Sequence, residues 1–253
     1  TGQTRNDIIK YCFENSKRIY ISPKISDIII RGGTDINLFD SPLLLCRNSG
    51  LSFEQRLFKR IFDIVVSVIG LIILSPFMLI IAAAIKIDDG GSIIYKQKRL
   101  TINGKEFFVY KFRSMIPNAE KNGVPQLATG SDSRITRVGK FLRKCRLDEL
   151  PQLFNIIKGD MSVVGPRPER PELTEKYERE MPEFKFRLKV KAGLTGYAQV
   201  TGVYDTTPYD KLKMDLMYIE RYSMVMDLRI ILMTIKTMIS PGEMNSEADK
   251  EKY

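Results

Sequence analysis

The stretch from Ile61 to Ile85, IFDIVVSVIGLIILSPFMLIIAAAI, restricts what this chain can fold into more than any other feature, because Asp63 is its only charge. As a helix it would reach roughly 37 Å at ~1.5 Å per residue, enough to cross a hydrocarbon core of ~30 Å. Such a segment must meet lipid. Ser75-Pro76 sits near its middle, and a proline there removes one backbone hydrogen bond and kinks a helix. Basic residues flank both ends: Arg56, Lys59 and Arg60 before it, Lys86, Lys96, Lys98 and Arg99 after it. A spanning helix biases its positive charge to one side. Basic flanks on both ends favour a bent helix that enters and leaves by the same face over a span, with a buried helix of a soluble core the third reading.

Histidine is absent from the chain. That removes the commonest general base, every Ser/His or Cys/His nucleophile pair and every His-ligated zinc site. Acid–base or covalent chemistry is left to carboxylates, Lys, Tyr, Ser or Cys. Cys12, Cys46 and Cys145 are far apart and show no CxxC spacing, which implies neither a metal knuckle nor a disulfide framework and suits a reducing compartment. The net charge of +10 suggests an anionic partner, whether nucleic acid, phosphorylated small molecules or an acidic membrane surface. The chain opens on Thr1 without a secretory signal and reads as a piece of something longer.

Before the apolar run, the pattern predicts a helix over Ile8 to Asn15, a strand over Arg18 to Ile21, a helix over Ile25 to Arg31 and a strand around Leu43 to Cys46. After it, Ile93 to Tyr95 and Glu106 to Phe112 read as strands joined through Asn103-Gly104, a hairpin turn signal. Arg134 to Cys145 reads as a basic helix. Leu150, Leu153, Phe154 and Ile157 share one face of a short helix ended by Gly159. Met224 to Ile239 is apolar with Asp227, Arg229 and Lys236 interspersed, which suits packing on a core or lying in a membrane interface. The tail from Pro241 is polar.

Asp148 and Glu149 stand side by side at the start of the Leu150 helix, just after Arg143, Lys144 and Arg146. The helix dipole and the cations favour an ionised Asp148, a candidate nucleophile or metal ligand. Plain helix capping is the commoner role of such a pair. In Gly165-Pro166-Arg167-Pro168 each proline fixes its own φ and extends the preceding residue, which would hold Arg167 on a stiff arm suited to gripping a phosphate. Lys111-Phe112-Arg113 adds two cations after a strand, and Gly193 and Gly196 permit close backbone approach. No aromatic stacking platform or DNA-binding module accompanies the basic helix, so nucleic acid is not the expected partner. A membrane scaffold with a dead site is undercut by the intact carboxylate pair.

Taken in order, Arg60-Ile61-Phe62-Asp63, Ser75-Pro76, Lys111-Phe112-Arg113-Ser114-Met115, Leu147-Asp148-Glu149-Leu150-Pro151-Gln152, Gly159-Asp160-Met161-Ser162, Gly165-Pro166-Arg167-Pro168 and Gly193-Leu194-Thr195-Gly196 resemble the monotopic phosphoglycosyl transferases, the bacterial sugar transferase family. The likeness covers about Leu57 to Ile239. It implies an α+β, mostly helical fold: a re-entrant helix broken at Ser75 and Pro76, a catalytic domain with a small β-hairpin, and amphipathic interfacial helices. The expected layout is the end of a Rossmann-like domain over 1–50, linker and membrane helix over 51–90, the catalytic domain over 91–240 and a polar tail over 241–253.

The implied activity moves a sugar phosphate from a UDP-sugar to a polyprenyl phosphate, undecaprenyl phosphate in bacteria, with release of UMP. It would open exopolysaccharide, capsule or O-antigen synthesis at the cytoplasmic face of the bacterial inner membrane. Asp148 would attack the β-phosphorus and carry a covalent phospho-sugar, and Glu149 would hold Mg²⁺ or position groups, the pair being the metal site. Lys111, Arg113, Arg143 and Arg167 would bind phosphates, with Asp215 a further acidic position of the family pattern. Membrane lipids and a second copy of the chain, as a homodimer, are the remaining implied partners. One departure is Val203 after Gly202, where the family often carries a basic residue.

Overall fold

The computed structural model describes residues 2–38, 41–46, 50–116, 134–202 and 206–239. The chain divides into two units, Thr1–Cys46 and Arg47–Tyr253. Val203 and the tail from residue 241 lie outside the described residues.

In the first unit, helix α1 (Gly2–Glu14) is tied to helix α2 (Ile25–Arg31) by Arg5 on Asp27 at 2.7 Å. Strands β1 (Thr34–Leu38) and β2 (Ser41–Leu45) pair antiparallel. The strand expected at Arg18 to Ile21 does not form, and Thr34–Leu38 supplies a strand that the sequence pattern did not assign. Propensity for β structure needs a partner strand to express itself. Thr34–Leu38 has one in β2, whereas Arg18 to Ile21 pairs with no described segment.

The second unit begins with helix α3 (Phe53–Asp89), longer at both ends than the apolar run. Ser52 and Gln55 form a reciprocal capping box, with bonds of 3.2 and 2.9 Å that start the helix. Gly90, at φ 69°, ends it in the left-handed conformation. In place of two helices parted by a break, a single helical element runs through Ser75-Pro76. Pro76 cannot donate to the carbonyl of Ile72, four residues back. The hydroxyl of Ser75 donates to that same carbonyl at 3.1 Å, so the acceptor orphaned by the proline is satisfied within the helix.

One stripe of α3 faces the rest of the unit. Lys59, Asp63 and Ser67 are buried at spacings of four, and Ile81 and Ile85 are buried farther along. Ile81 and Ile85 join Phe112 and Leu142 in an apolar cluster with Met78, Val138 and Leu147 around it. The other faces carry Ile61, Ile69, Ile72, Phe77, Leu79 and Ile80 exposed. The helix is long and apolar enough to cross a membrane.

Strands β3 (Ile94–Leu100) and β4 (Glu106–Phe112) pair antiparallel from Ile94↔Phe112 to Leu100↔Glu106, closed by a turn in which Asn103 and Gly104 are both left-handed. Helix α4 (Arg137–Lys144), capped by Thr136, leads to helix α5 (Gln152–Lys158), which Gly159 ends at φ 95°. Fully buried Asn155 of α5 stitches the edge of β4. Its Nδ2 donates to the Phe108 carbonyl at 2.8 Å, and its Oδ1 accepts from the Tyr110 amide at 3.0 Å. Strand β5 (Ser162–Val164) pairs parallel with β6 (Gly193–Thr195). Helices α6 (Pro171–Glu180), α7 (Tyr197–Thr201), α8 (Pro208–Glu220) and α9 (Met224–Ile239) complete the unit. One side of α9 packs inward through Asp227 and Ile230, as the packing reading of that stretch expects, while Val225, Leu228, Leu232 and Ile235 stay exposed.

Gly193 has no room for a Cβ, which would collide with the backbone of Gly165 and Thr195. Gly193→Ala should therefore force β5 and β6 apart and lower stability by about 1–3 kcal/mol. Thermal unfolding in detergent checks this, and an unchanged midpoint would mean that the two strands separate freely.

Candidate active site

The carboxylate pair is set by an unusual turn between α4 and α5. Arg146 adopts φ 53°, ψ 20°, a left-handed conformation that costs a non-glycine residue roughly 1–2 kcal/mol. The turn it initiates, Leu147–Glu149, is a single 3₁₀ turn rather than the first turn of α5. Helix α5 starts at Gln152 with no side-chain cap, and the Glu149 carboxylate turns instead to cations.

Those cations come from two separate elements. Lys111 Nζ, at the end of β4, lies 2.6 Å from Glu149 Oε1. Arg167 Nη2 reaches the same oxygen at 3.3 Å from the loop after β5. Burial works to raise the Glu149 carboxyl, but the charges of Arg167 and Lys111 outweigh it and hold the group at about 2. Its ion pairs thus contribute stability above its ordinary 4.5, and that contribution is lost as pH falls toward 2. Asp148 differs: it is half-buried and makes no ion pair with any described residue. Burial raises its carboxyl above the usual aspartate range, and Lys111 offsets this only in part. Two adjacent carboxylates are therefore pushed in opposite directions, one more acidic and engaged, the other unengaged and more basic.

The Arg167 arm is stiff, with hydrogen bonds adding to the two prolines. The Gly165 amide donates to Thr195 at 2.8 Å, and the Pro166 carbonyl accepts from the Gly193 amide at 2.9 Å. The Arg167 carbonyl accepts from Arg187 at 3.0 Å, that of Pro168 from Arg99 at 3.0 Å, and that of Glu169 from the Leu100 amide at 3.0 Å. Arg143, in the last turn of α4, is oriented by its Nε donating to Ser114 Oγ at 2.8 Å, and its charge lowers the Asp148 carboxyl.

The sequence pattern of the bacterial sugar transferase family matches residues 54–241. The chain belongs to that family. It is 43% identical, over 81% of its length, to UDP-glucose:undecaprenyl-phosphate glucose-1-phosphate transferase of Klebsiella pneumoniae, and covers 43% of that protein. It is 42% identical, over 72% of its length, to UDP-N-acetylgalactosamine-undecaprenyl-phosphate N-acetylgalactosaminephosphotransferase of Aeromonas hydrophila, covering 44% of it. Exopolysaccharide production protein PSS of Rhizobium leguminosarum bv. phaseoli is 40% identical over 73% of this chain, which covers 96% of that relative. The chain thus spans less than half the length of the first two relatives and nearly all of the third.

Within the matched region, Lys111, Arg143 and Arg167 gather around Asp148 and Glu149. The guanidinium of Arg113 lies against Gly91, just beyond the end of α3. Asp215, at 2% exposure, faces inward and binds Arg187 at 2.7 and 2.9 Å. Arg187 in turn holds the Arg167 carbonyl, so Asp215 reaches the dyad through two arginines rather than by contact. Arg187 escaped the sequence reading because Phe184 to Lys191 is an alternation of basic and apolar residues with no motif to single out one arginine.

No group of three or more acidic or thiol ligands occurs among the described residues. Mg²⁺ is commonly held by one or two carboxylates, with phosphates and water completing its shell. Asp148 and Glu149 fit that limited requirement, Asp148 with a carboxylate not already engaged.

Proposed function

We propose that this chain carries the catalytic part of a phosphoglycosyl transferase that moves a sugar 1-phosphate from a UDP-sugar to undecaprenyl phosphate and releases UMP. The observation that carries this reading is the unequal treatment of the two carboxylates. Glu149 is tied down by Lys111 and Arg167, while Asp148 beside it is unpaired, desolvated and within the field of Lys111 and Arg143. A carboxylate in that state is a nucleophile for phosphorus. An Asp148 oxygen bonds to the β-phosphorus, the bond from that phosphorus to the oxygen bridging to the α-phosphate breaks, and UMP leaves with the electron pair. A phosphate oxygen of the lipid then attacks the same phosphorus. The Asp148 carboxylate departs, and a lipid diphosphate sugar is formed. Arg143 and Arg167 are placed to bind the phosphates as charge shifts, with Lys111 beside them. Asp148 and Glu149 would hold Mg²⁺, which supplies neutralisation of diphosphate charge.

The site belongs, in this reading, at the cytoplasmic face of the bacterial inner membrane, with α3 re-entrant. The support is that both halves of α3 lie on the same unit. Lys59 and Asp63 bind α9 and β5 near one end, and Ile81 and Ile85 pack against Phe112 and Leu142 near the other. A spanning helix would carry one of those ends to the far side of the bilayer, away from a domain that touches both. The satisfied Ile72 carbonyl suits a helix whose middle enters hydrocarbon, where an unpaired carbonyl costs several kcal/mol. The exposed stripe of α9 would lie in the same interface. Residues 1–50 as the end of a Rossmann-like domain, and assembly as a homodimer, complete the proposal.

The test is UMP release by detergent-solubilised protein with Mg²⁺, undecaprenyl phosphate and a panel of UDP-sugars, including UDP-glucose and UDP-N-acetylgalactosamine. Lipid-dependent release with one sugar is expected and would name the donor. No release with any sugar from a folded sample would overturn the reading.

A further inference from the structure

The polar residues at the start of α3 grip both of the segments that carry the candidate site. Arg60 donates from Nη1 to the Ile156 carbonyl at 2.6 Å and from Nη2 to the Ile157 carbonyl at 2.7 Å, so one guanidinium closes the last turn of α5, the helix that follows the dyad. Three residues on, Asp63 Oδ1 accepts from Ser162 Oγ and from the Val163 amide, both at 3.0 Å, and so holds β5, the strand that leads into the Arg167 arm. Asp63 is 2% exposed, on a helix whose other faces are apolar and bare. A charged side chain is costly on such a helix unless it is fully used.

The hydrogen bonds and ion pairs that brace the dyad and its cations come from outside α3, which meets the dyad turn through apolar contact at Leu147 and Leu150. Lys111 and Arg167 hold Glu149, Ser114 orients Arg143, and Arg187, Arg99, Leu100 and Gly193 pin the arm. The bonds from Arg60 and Asp63 therefore add little to the internal shape of the site. What they fix is its register along the helix that meets lipid.

We propose that Arg60 and Asp63 are positioning residues that set the dyad at the depth where a membrane-embedded phosphate can reach it, and so govern the use of the lipid acceptor rather than of the water-soluble donor. This rests on the transferase reading above. A donor arriving from water needs only the local cage. An acceptor whose chain is confined to the bilayer presents its phosphate at a fixed height, and a shift of about 1 Å in such a constellation can cost on the order of a hundredfold in rate.

The test varies each substrate in turn in lipid nanodiscs, for wild type and four variants. Arg60→Gln and Asp63→Ala remove the grip, whereas Arg60→Lys keeps one cationic donor to the helix end and Asp63→Asn keeps the Oδ1 acceptor. Arg60→Gln and Asp63→Ala should lower kcat/KM for polyprenyl phosphate roughly 10- to 100-fold. They should leave kcat/KM for the UDP-sugar within about twofold, and the two conservative variants should recover much of the loss. An equal fall for both substrates, which a general packing defect gives, would overturn the proposal, as would no fall for either. A wild-type chain inactive with every UDP-sugar would instead sink the transferase reading on which it stands.

Discussion

Asp148→Asn should reduce transfer by at least about a thousandfold while leaving the fold as it is. The side chain keeps its size and loses only its ability to ionise, which a nucleophilic carboxylate cannot do without. Because Asp148 makes no ion pair with any described residue, the thermal midpoint should stay within the range of a neutral substitution, about 0.5 kcal/mol. In the wild type the acid limb of the rate profile should lie above the ordinary aspartate value of 3.8, because burial raises the Asp148 carboxyl and protonation on going to lower pH removes the nucleophile. Glu149, held at about 2, contributes nothing to that limb. UMP release across pH measures both points. A variant that turns over near the wild-type rate would assign the attack to another group.

The largest stability effect is expected at the contact between α3 and α9. Lys59 Nζ sits 2.6 Å from Asp227 Oδ2, with side chains 8% and 0% exposed. Asp227 Oδ1 accepts from the Tyr218 hydroxyl at 2.8 Å, and the same hydroxyl lies 3.2 Å from the Val164 carbonyl. Removing one partner of a buried pair leaves the other charged and uncompensated, a cost of about 3–5 kcal/mol. Lys59→Met should therefore unfold well below the wild-type temperature. Lys59→Met with Asp227→Leu should recover most of the loss, since two apolar groups replace two charges. A single variant as stable as wild type would show that water reaches the pair.

Much of this arrangement could be read from residues alone, where a local signal and the final structure agree. Asn103-Gly104 marked the hairpin, Gly159 ended α5, and the stretch from Met224 to Ile239 is the helix α9. The misses have physical causes. Lys96-Gln97-Lys98-Arg99 hides the greater part of β3, because four polar residues show no alternation, yet the register with β4 makes them strand. The early start of α3 depended on the Ser52 and Gln55 capping box, outside the apolar stretch that drew attention. Glu149 reads in sequence as a capping residue and becomes an ion-pair partner because Arg146 turns the chain left-handed, a conformation no composition announces for an arginine. Asp215 was legible as an acidic position, but its distance from the reacting groups depends on Arg187, which packing alone singles out.

The Lys59 and Asp227 contact also says something about how the protein is made. Its partners are 168 residues apart in the chain, joining one helix to another synthesised well after it. At roughly 5–20 residues per second, about 10–30 s separate the emergence of the two from the ribosome. In the membrane reading proposed above, α3 passes that interval with its apolar faces in need of lipid and its Lys59 without the Asp227 counter-charge, and the helix would reach the membrane before the domain closes on it. In that reading the domain is ordered from membrane to site, with α9 the later piece that locks it.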